Sequence, residues 1–283
     1  MSGGQRKTVD RGYAPMGGTR LYYEVAGDGP PAVLIHAGFV DRRIWDPQWE
    51  RLPERHRVVR YDLRGAGKSA GSNAAYFDHE DLQKLLERLE IERAHVVGLA
   101  TGGLIALDLA VARPDLVATL TLVSTAHPQV RPSEVSETRR REAILWYGRG
   151  KTGKAVEAIL RAWVDGPERA PGQVDPAIRD HVRRLVREDL PRQRYQASRR
   201  PMNPPSFSRL DEVRAPALVI AGDLDAQEIR TSADLYAGGI RNASKVLVPG
   251  SGHMVNLERT RDFGELLEEF WSSSRGNGRA VAS

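Results

Sequence analysis

Three loops of this chain hold the residue types from which acyl-transfer chemistry is built, and one of them lacks the group that would begin it. Gly98-Leu99-Ala100-Thr101-Gly102-Gly103 has the spacing of a G-x-S-x-G nucleophile elbow, a sharp strand-to-helix turn that lifts one side chain above a sheet. The flanking glycines omit the Cβ atoms that would clash in so tight a bend. The lifted residue is Ala100, whose methyl can neither attack a carbonyl nor carry a proton. Later in the chain, Gly222-Asp223-Leu224-Asp225 offers two carboxylates and Ser251-Gly252-His253-Met254 offers an imidazole. A histidine held by a carboxylate is a general acid–base, because the carboxylate fixes the tautomer and stabilises the imidazolium that forms. Each residue also has a plain reading: Asp commonly begins turns, and a lone His in a glycine-rich loop is usually structural or exposed.

Each of these groups needs an element to hold it. Ala94-His95-Val96-Val97 reads as a short strand entering the elbow, and Leu104 to Arg113 as a helix leaving it. Ala32 to His36, Val58 to Tyr61, Leu116 to Val123, Ala217 to Ala221 and Lys245 to Val248 are apolar runs of strand length, the pattern of a parallel sheet buried on both faces. Tyr13 to Met16 and Arg20 to Val25 read as a hairpin through Gly17-Gly18. Leu82, Leu85, Leu86 and Leu89 mark one face of a helix over Asp81 to Leu89; others are expected near Thr231 to Tyr236 and from about Leu257 to Trp271. Strands alternating with helices predict an α/β fold with a mostly parallel, doubly wound sheet and right-handed crossovers. Ligands bind such sheets at the carboxyl ends of the strands, where all three loops fall.

From Pro128 the alternation stops. Val135 to Tyr147, Gly153 to Val164 and Pro176 to Leu190 are consecutive helical signals, the last opened by Asp175 as N-cap and Pro176 at the first helical position. We read 128–208 as a helical cap inserted into a core formed by 1–127 and 209–283. This segment holds 17 Lys and Arg against 10 Asp and Glu, so the chain's net charge of +5 resides there. It has neither interleaved aromatics nor a nucleic-acid motif, so it reads as a solvated helical surface with no nucleic-acid partner.

Composition removes other classes. With 40% hydrophobic and 28% charged residues, no run of 18 apolar residues and no secretory signal near Met1, a soluble cytoplasmic protein without a membrane partner is expected. The absence of cysteine excludes disulfides and thiolate catalysis. None of the seven histidines pairs with another at metal-ligand spacing, and no metal or organic cofactor is implied. Gly67-Lys68-Ser69 could end a phosphate-binding loop, but the required first glycine falls on Asp62, which leaves a tight glycine turn after a strand.

The order of elbow, acid and histidine, together with His36-Ala37-Gly38, Trp45-Asp46-Pro47-Gln48, Asp62-Leu63-Arg64-Gly65 and His253-Met254-Val255-Asn256-Leu257-Glu258, resembles the α/β-hydrolases over nearly the whole chain. The nearest likeness is to actinobacterial hydrolases that look like 3-oxoadipate enol-lactonase. The resemblance implies His253 as general base, Asp225 rather than Asp223 as its partner, and the backbone N–H groups of Gly38 and Thr101 as an oxyanion hole. Thr101's own side chain is expected to point away from the elbow apex. The departure at Ala100 implies a poor hydrolase on an ester or lactone scaffold acting on a small-molecule substrate. An engineered Ser→Ala change fits the sequence, and so does a natural nonhydrolytic enzyme, a cyclase or lyase using His253 as acid or base. A ligand-binding pseudoenzyme is the third reading, and a homo-oligomer is left open.

Overall fold

The computed structural model describes residues 9–167, 169–170, 172–192 and 198–276. The first eight residues and the tail beyond 276 lie outside the described residues. The chain opens with the hairpin β1 (Val9–Pro15) and β2 (Arg20–Ala26), then β3 (Pro31–Ile35), the short helix α1 (Asp46–Arg51) and β4 (Arg57–Tyr61). Helix α2 (Asp78–Arg88), strand β5 (Ala94–Leu99), helix α3 (Thr101–Ala112) and strand β6 (Val117–Val123) follow. Three helices, α4 (Glu134–Gly148), α5 (Thr152–Leu160) and α6 (Pro176–Asp189), come next without an intervening strand. The chain closes with β7 (Ala217–Gly222), α7 (Gln227–Gly239), β8 (Ala243–Val248), α8 (Val255–Glu258) and α9 (Thr260–Gly276).

All eight strands form one sheet in the order β1-β2-β4-β3-β5-β6-β7-β8. β1 and β2 pair antiparallel, as do β2 and β4, and every later pairing is parallel. The mostly parallel sheet is the one expected from the alternating pattern, and its arrangement agrees with the α/β-hydrolase fold that the resemblance implies. One apolar layer joins the sheet to α2, α3 and α7; the other holds Trp45, the inner faces of α5 and α6, and Phe263, Leu267 and Trp271 of α9. β5, buried along its whole length, lies between β3 and β6 with Gly98 beside Ile35 and Leu122. The elbow therefore rises from the middle of the sheet.

Several boundaries differ from the sequence reading, each for a local reason. α2 starts at Asp78 instead of Asp81, with three acids in its first turn where the helix dipole favours them. The helix expected over Gly153 to Val164 stops at Leu160 and continues as a wider π turn, Arg161–Asp165, ending at Gly166 with φ 73°. The last helix is broken at Arg259, whose backbone leaves helical values (φ −131°, ψ 50°) and whose Nε donates to Pro249 O at 3.0 Å. Asp175 caps α6 as expected, its Oδ1 accepting from Ala177 N at 2.8 Å.

Candidate active site

At the elbow apex Ala100 adopts φ 49°, ψ −109°, a backbone that L residues avoid. The turn can close this tightly only because of its glycines. A Cβ on Gly98 would lie 2.1 Å from Gly102 O, and one on Gly102 would lie 2.3 Å from Ile35 O. The Ala100 N–H donates to Val123 O at 2.8 Å, tying the apex to β6. The N–H of Thr101 opens α3 and so has no partner inside the helix. The Thr101 Oγ1 reaches toward the neighbouring loop, 3.3 Å from where a Gly38 Cβ would sit. Among the described residues no protein acceptor takes the Gly38 N–H.

The loop after β3 is held from below by His36. Its Nε2 accepts from Leu63 N at 2.9 Å while Nδ1 donates to Ala37 O at 2.7 Å, so the buried imidazole sits as a neutral strut between two loops. Phe39, the next residue after Gly38, has φ 63° and packs its ring 5.5 Å from that of Trp163 in the π turn.

The loops after β7 and β8 bring the acid and the imidazole together. His253 Nδ1 lies 3.0 Å from Asp225 Oδ2 and 3.2 Å from Oδ1, and both residues are buried. Asp225 Oδ1 also accepts from Ala226 N at 2.7 Å, which fixes the carboxylate's plane. Asp223 points elsewhere, accepting from Gly250 N at 2.7 Å and so pinning the turn after β8. With Nδ1 engaged, Nε2 is the ring nitrogen left for the cavity that His253 lines. Such a pair can take one proton at Nε2 and give it back.

That cavity, about 80 Å³, is bounded by Gly38, Phe39, Ala100, Thr101 and His253 on the sheet side and by Ile159, Trp163, Val164, Val182 and Val186 on the helical side. Its walls are mainly apolar. The sequence marks the inward face of α6 but gives no sign that Ile159 and Trp163 reach the elbow, because the π turn that aims Trp163 has no periodic signature. Behind the imidazole, buried Glu228 at the start of α7 has Arg140 Nη2 3.6 Å from its Oε1, and both line a second, smaller space with Asp225 and His253. Among the described residues no cluster of His, Asp and Glu could hold a metal ion, and no helix is long and apolar enough to cross a membrane.

Residues 32–266 match the model of the alpha/beta hydrolase family. The chain belongs to this family. A Variovorax paradoxus (strain S110) member provisionally named carbamate hydrolase RutD is 31% identical over 266 residues, spanning 88% of this chain and 95% of its own. A Bacillus subtilis (strain 168) relative provisionally named 2-succinyl-6-hydroxy-2,4-cyclohexadiene-1-carboxylate synthase is 26% identical over 277 residues, covering 89% and 95%. Among solved structures, the enol-lactonase from Burkholderia xenovorans LB400 superposes with a TM-score of 0.76 at 26% identity, over 92% of this chain and all of that one. This hydrolase-family chain is thus similar along its length to proteins named for hydrolysis and to one named a synthase.

Proposed function

We propose that the protein binds a small, largely apolar carbonyl compound of the ester or lactone class and acts on it by His253 acid–base chemistry without forming an acyl-enzyme. One observation carries this reading: a histidine paired with a buried carboxylate lines an apolar cavity beside an elbow whose apex is a methyl group. Removing the nucleophile takes away covalent catalysis but leaves the base and the two N–H donors, which need no particular side chain. In this reading α4 to α6 act as a cap over the cavity. The substrate carbonyl oxygen rests between the N–H groups of Gly38 and Thr101, and Ala100 leaves room above the elbow for a water or a substrate hydroxyl. As that oxygen attacks the carbonyl carbon, its proton passes to His253 Nε2 and negative charge develops on the carbonyl oxygen. Nε2 then returns the proton to the departing oxygen as the old C–O bond breaks. The relatives named for lactone and carbamate hydrolysis support the substrate class, and the synthase shows that the family's names are not confined to hydrolysis.

The test is His253→Gln, assayed with a panel of small lactones and esters on which the wild-type chain shows turnover. A positioned general base contributes about 10² to 10⁴ in rate, so a loss of that size with unchanged melting is expected. Unchanged turnover would remove His253 from the mechanism, and a wild-type chain that binds members of a wider panel but turns none of them over would favour a binding role.

A further inference from the structure

Among the described residues eight large apolar side chains stand exposed, and three of them, Ile144, Leu145 and Tyr147, fall within four positions at the end of α4. Ile144 is 71% exposed. From Ile144 to Lys154 every residue except Trp146 is exposed, the stretch contains Arg149, Lys151 and Lys154, and no acid occurs between Glu142 and Glu157. Trp146 is half-buried beneath its cations, with Lys154 Nζ 4.2 Å and the Arg149 guanidinium 5.7 Å from its ring. Gly148, Gly150 and Gly153 meet no neighbour where a Cβ would be. A patch this concentrated is unusual on a free surface and marks a place of contact.

We propose that the turn between α4 and α5 docks on an anionic lipid surface. Three features select that occupant. At about 100° per residue, Ile144, Leu145 and Tyr147 spread over some 160° of the outward side of the helix, a convex knob rather than the narrow stripe that a protein groove accepts. Trp and Tyr beside Ile and Leu, ringed by Arg and Lys, are the side chains that settle at a membrane–water interface. The uncompensated cations fix the sign of the partner and repel a second copy placed on the same patch by a two-fold axis. The acids that bracket the stretch are already engaged: Glu157 by Arg179 Nη1 at 3.1 Å and Arg183 Nε at 2.8 Å, and Glu142 by Trp146 Nε1 at 3.3 Å. This contact departs from the expectation of no membrane partner; it is peripheral, since no described helix is long and apolar enough to span a bilayer, and it does not rest on the acid–base reading of the site.

Sedimentation of the full chain with vesicles tests the surface, using equal parts phosphatidylglycerol and phosphatidylcholine against phosphatidylcholine alone. Binding to the anionic vesicles only, weakening as salt rises, is expected. Lys151→Gln should weaken it about fivefold and the triple change of Arg149, Lys151 and Lys154 to Gln about a hundredfold. Ile144→Asp should abolish it while the melting curve stays unchanged, because the side chain touches little of the fold. The proposal is overturned by absence of binding, by equal binding to both vesicle types, or by binding that survives the triple variant and Ile144→Asp. It is also overturned if Ile144→Asp instead removes a concentration-dependent dimer seen without lipid.

Discussion

At the level of single residues, Ala100 decides which chemistry is open. The strained apex is already built: Gly98, Gly102 and the bond to Val123 O hold position 100 at φ 49° whatever side chain stands there. Ala100→Ser should therefore bring a hydroxyl to the cavity that His253 lines without moving the backbone. Since losing the nucleophile of an intact triad costs about 10⁶ in turnover, several powers of ten in the hydrolysis of a small activated ester should appear. Covalent labelling of the serine by an organophosphonate is the direct check. A folded Ala100→Ser protein that neither hydrolyses the ester nor takes the label would mean that His253 or the N–H donors are set for another reaction. In that event the direct acid–base reading gains. The elbow turn and a histidine within reach of a carboxylate after β7 were legible in the sequence from residue type and chain order, and the choice of Asp225 over Asp223 came from the family resemblance. The strut role of His36 and the reach of Thr101 Oγ1 toward Gly38 were not, since both follow from how two loops approach one another.

Among the secondary-structure elements, the strands were easy to read and the helical wall of the cavity was not. Apolar runs such as Ala32 to Ile35 and Ala217 to Ala221 announce strands buried on both faces, so the parallel sheet followed from pattern alone. The π turn Arg161–Asp165 has no such signature, yet it decides where Trp163 points. Arg139 and Arg169 hold carbonyls of that turn, and a buried carboxylate ties it to α6. Asp165, almost wholly enclosed, accepts two hydrogen bonds from Arg179 of α6, at 2.8 and 3.0 Å, and the same guanidinium reaches Glu157 of α5 at 3.1 Å. The hydrogen bonding it donates to Asp165 is the main reason the Arg179 guanidinium holds its proton more tightly than an ordinary arginine. Arg179→Met keeps the stem but strands Asp165 in the interior, and breaking such a pair costs about 3 to 5 kcal/mol. Urea unfolding should report a loss of that order, and the cavity should loosen with it, seen as a raised KM before kcat changes. A loss below about 1 kcal/mol would show the pair to be exposed in solution.

Across the whole molecule, a second set of buried charges ties the antiparallel hairpin to the parallel sheet. Glu24 of β2 accepts from Arg42 Nη2 at 3.0 Å, from Arg60 Nε of β4 at 2.8 Å and from the Tyr22 hydroxyl at 3.0 Å. Arg42 Nη1 also donates to Asp62 at 2.9 Å, so two arginines and two carboxylates share one enclosed site. The two acids are shifted in opposite directions. Burial pushes Glu24 up, but the hydrogen bond from Arg42 and the charges of Arg60 and Arg42 outweigh it and hold the carboxyl below its usual range. For Asp62 burial is dominant and the carboxyl is raised despite Arg42. Glu24 therefore contributes stability that is fully present above the ordinary carboxylate value, about 4.3, and is lost as pH falls through its lower folded value. Asp62 works the other way, its burial cost being relieved as it takes up a proton, so only a variant at Glu24 isolates the stabilising half. Glu24→Gln keeps the shape and most hydrogen bonds of a protonated glutamate while leaving the two arginines one charge short. At pH 7 it should cost about 3 kcal/mol in urea unfolding, the order expected when one member of a buried ion pair is removed. The gap to wild type should narrow as pH drops below about 4.3 and close once Glu24 itself is protonated in the folded protein. A gap that stays constant across this range would mean that Glu24 acts through shape and neutral hydrogen bonds alone, with Arg42 satisfied by Asp62 and Arg60 by Asp46, whose Oδ1 accepts from Arg60 Nη1 at 2.5 Å.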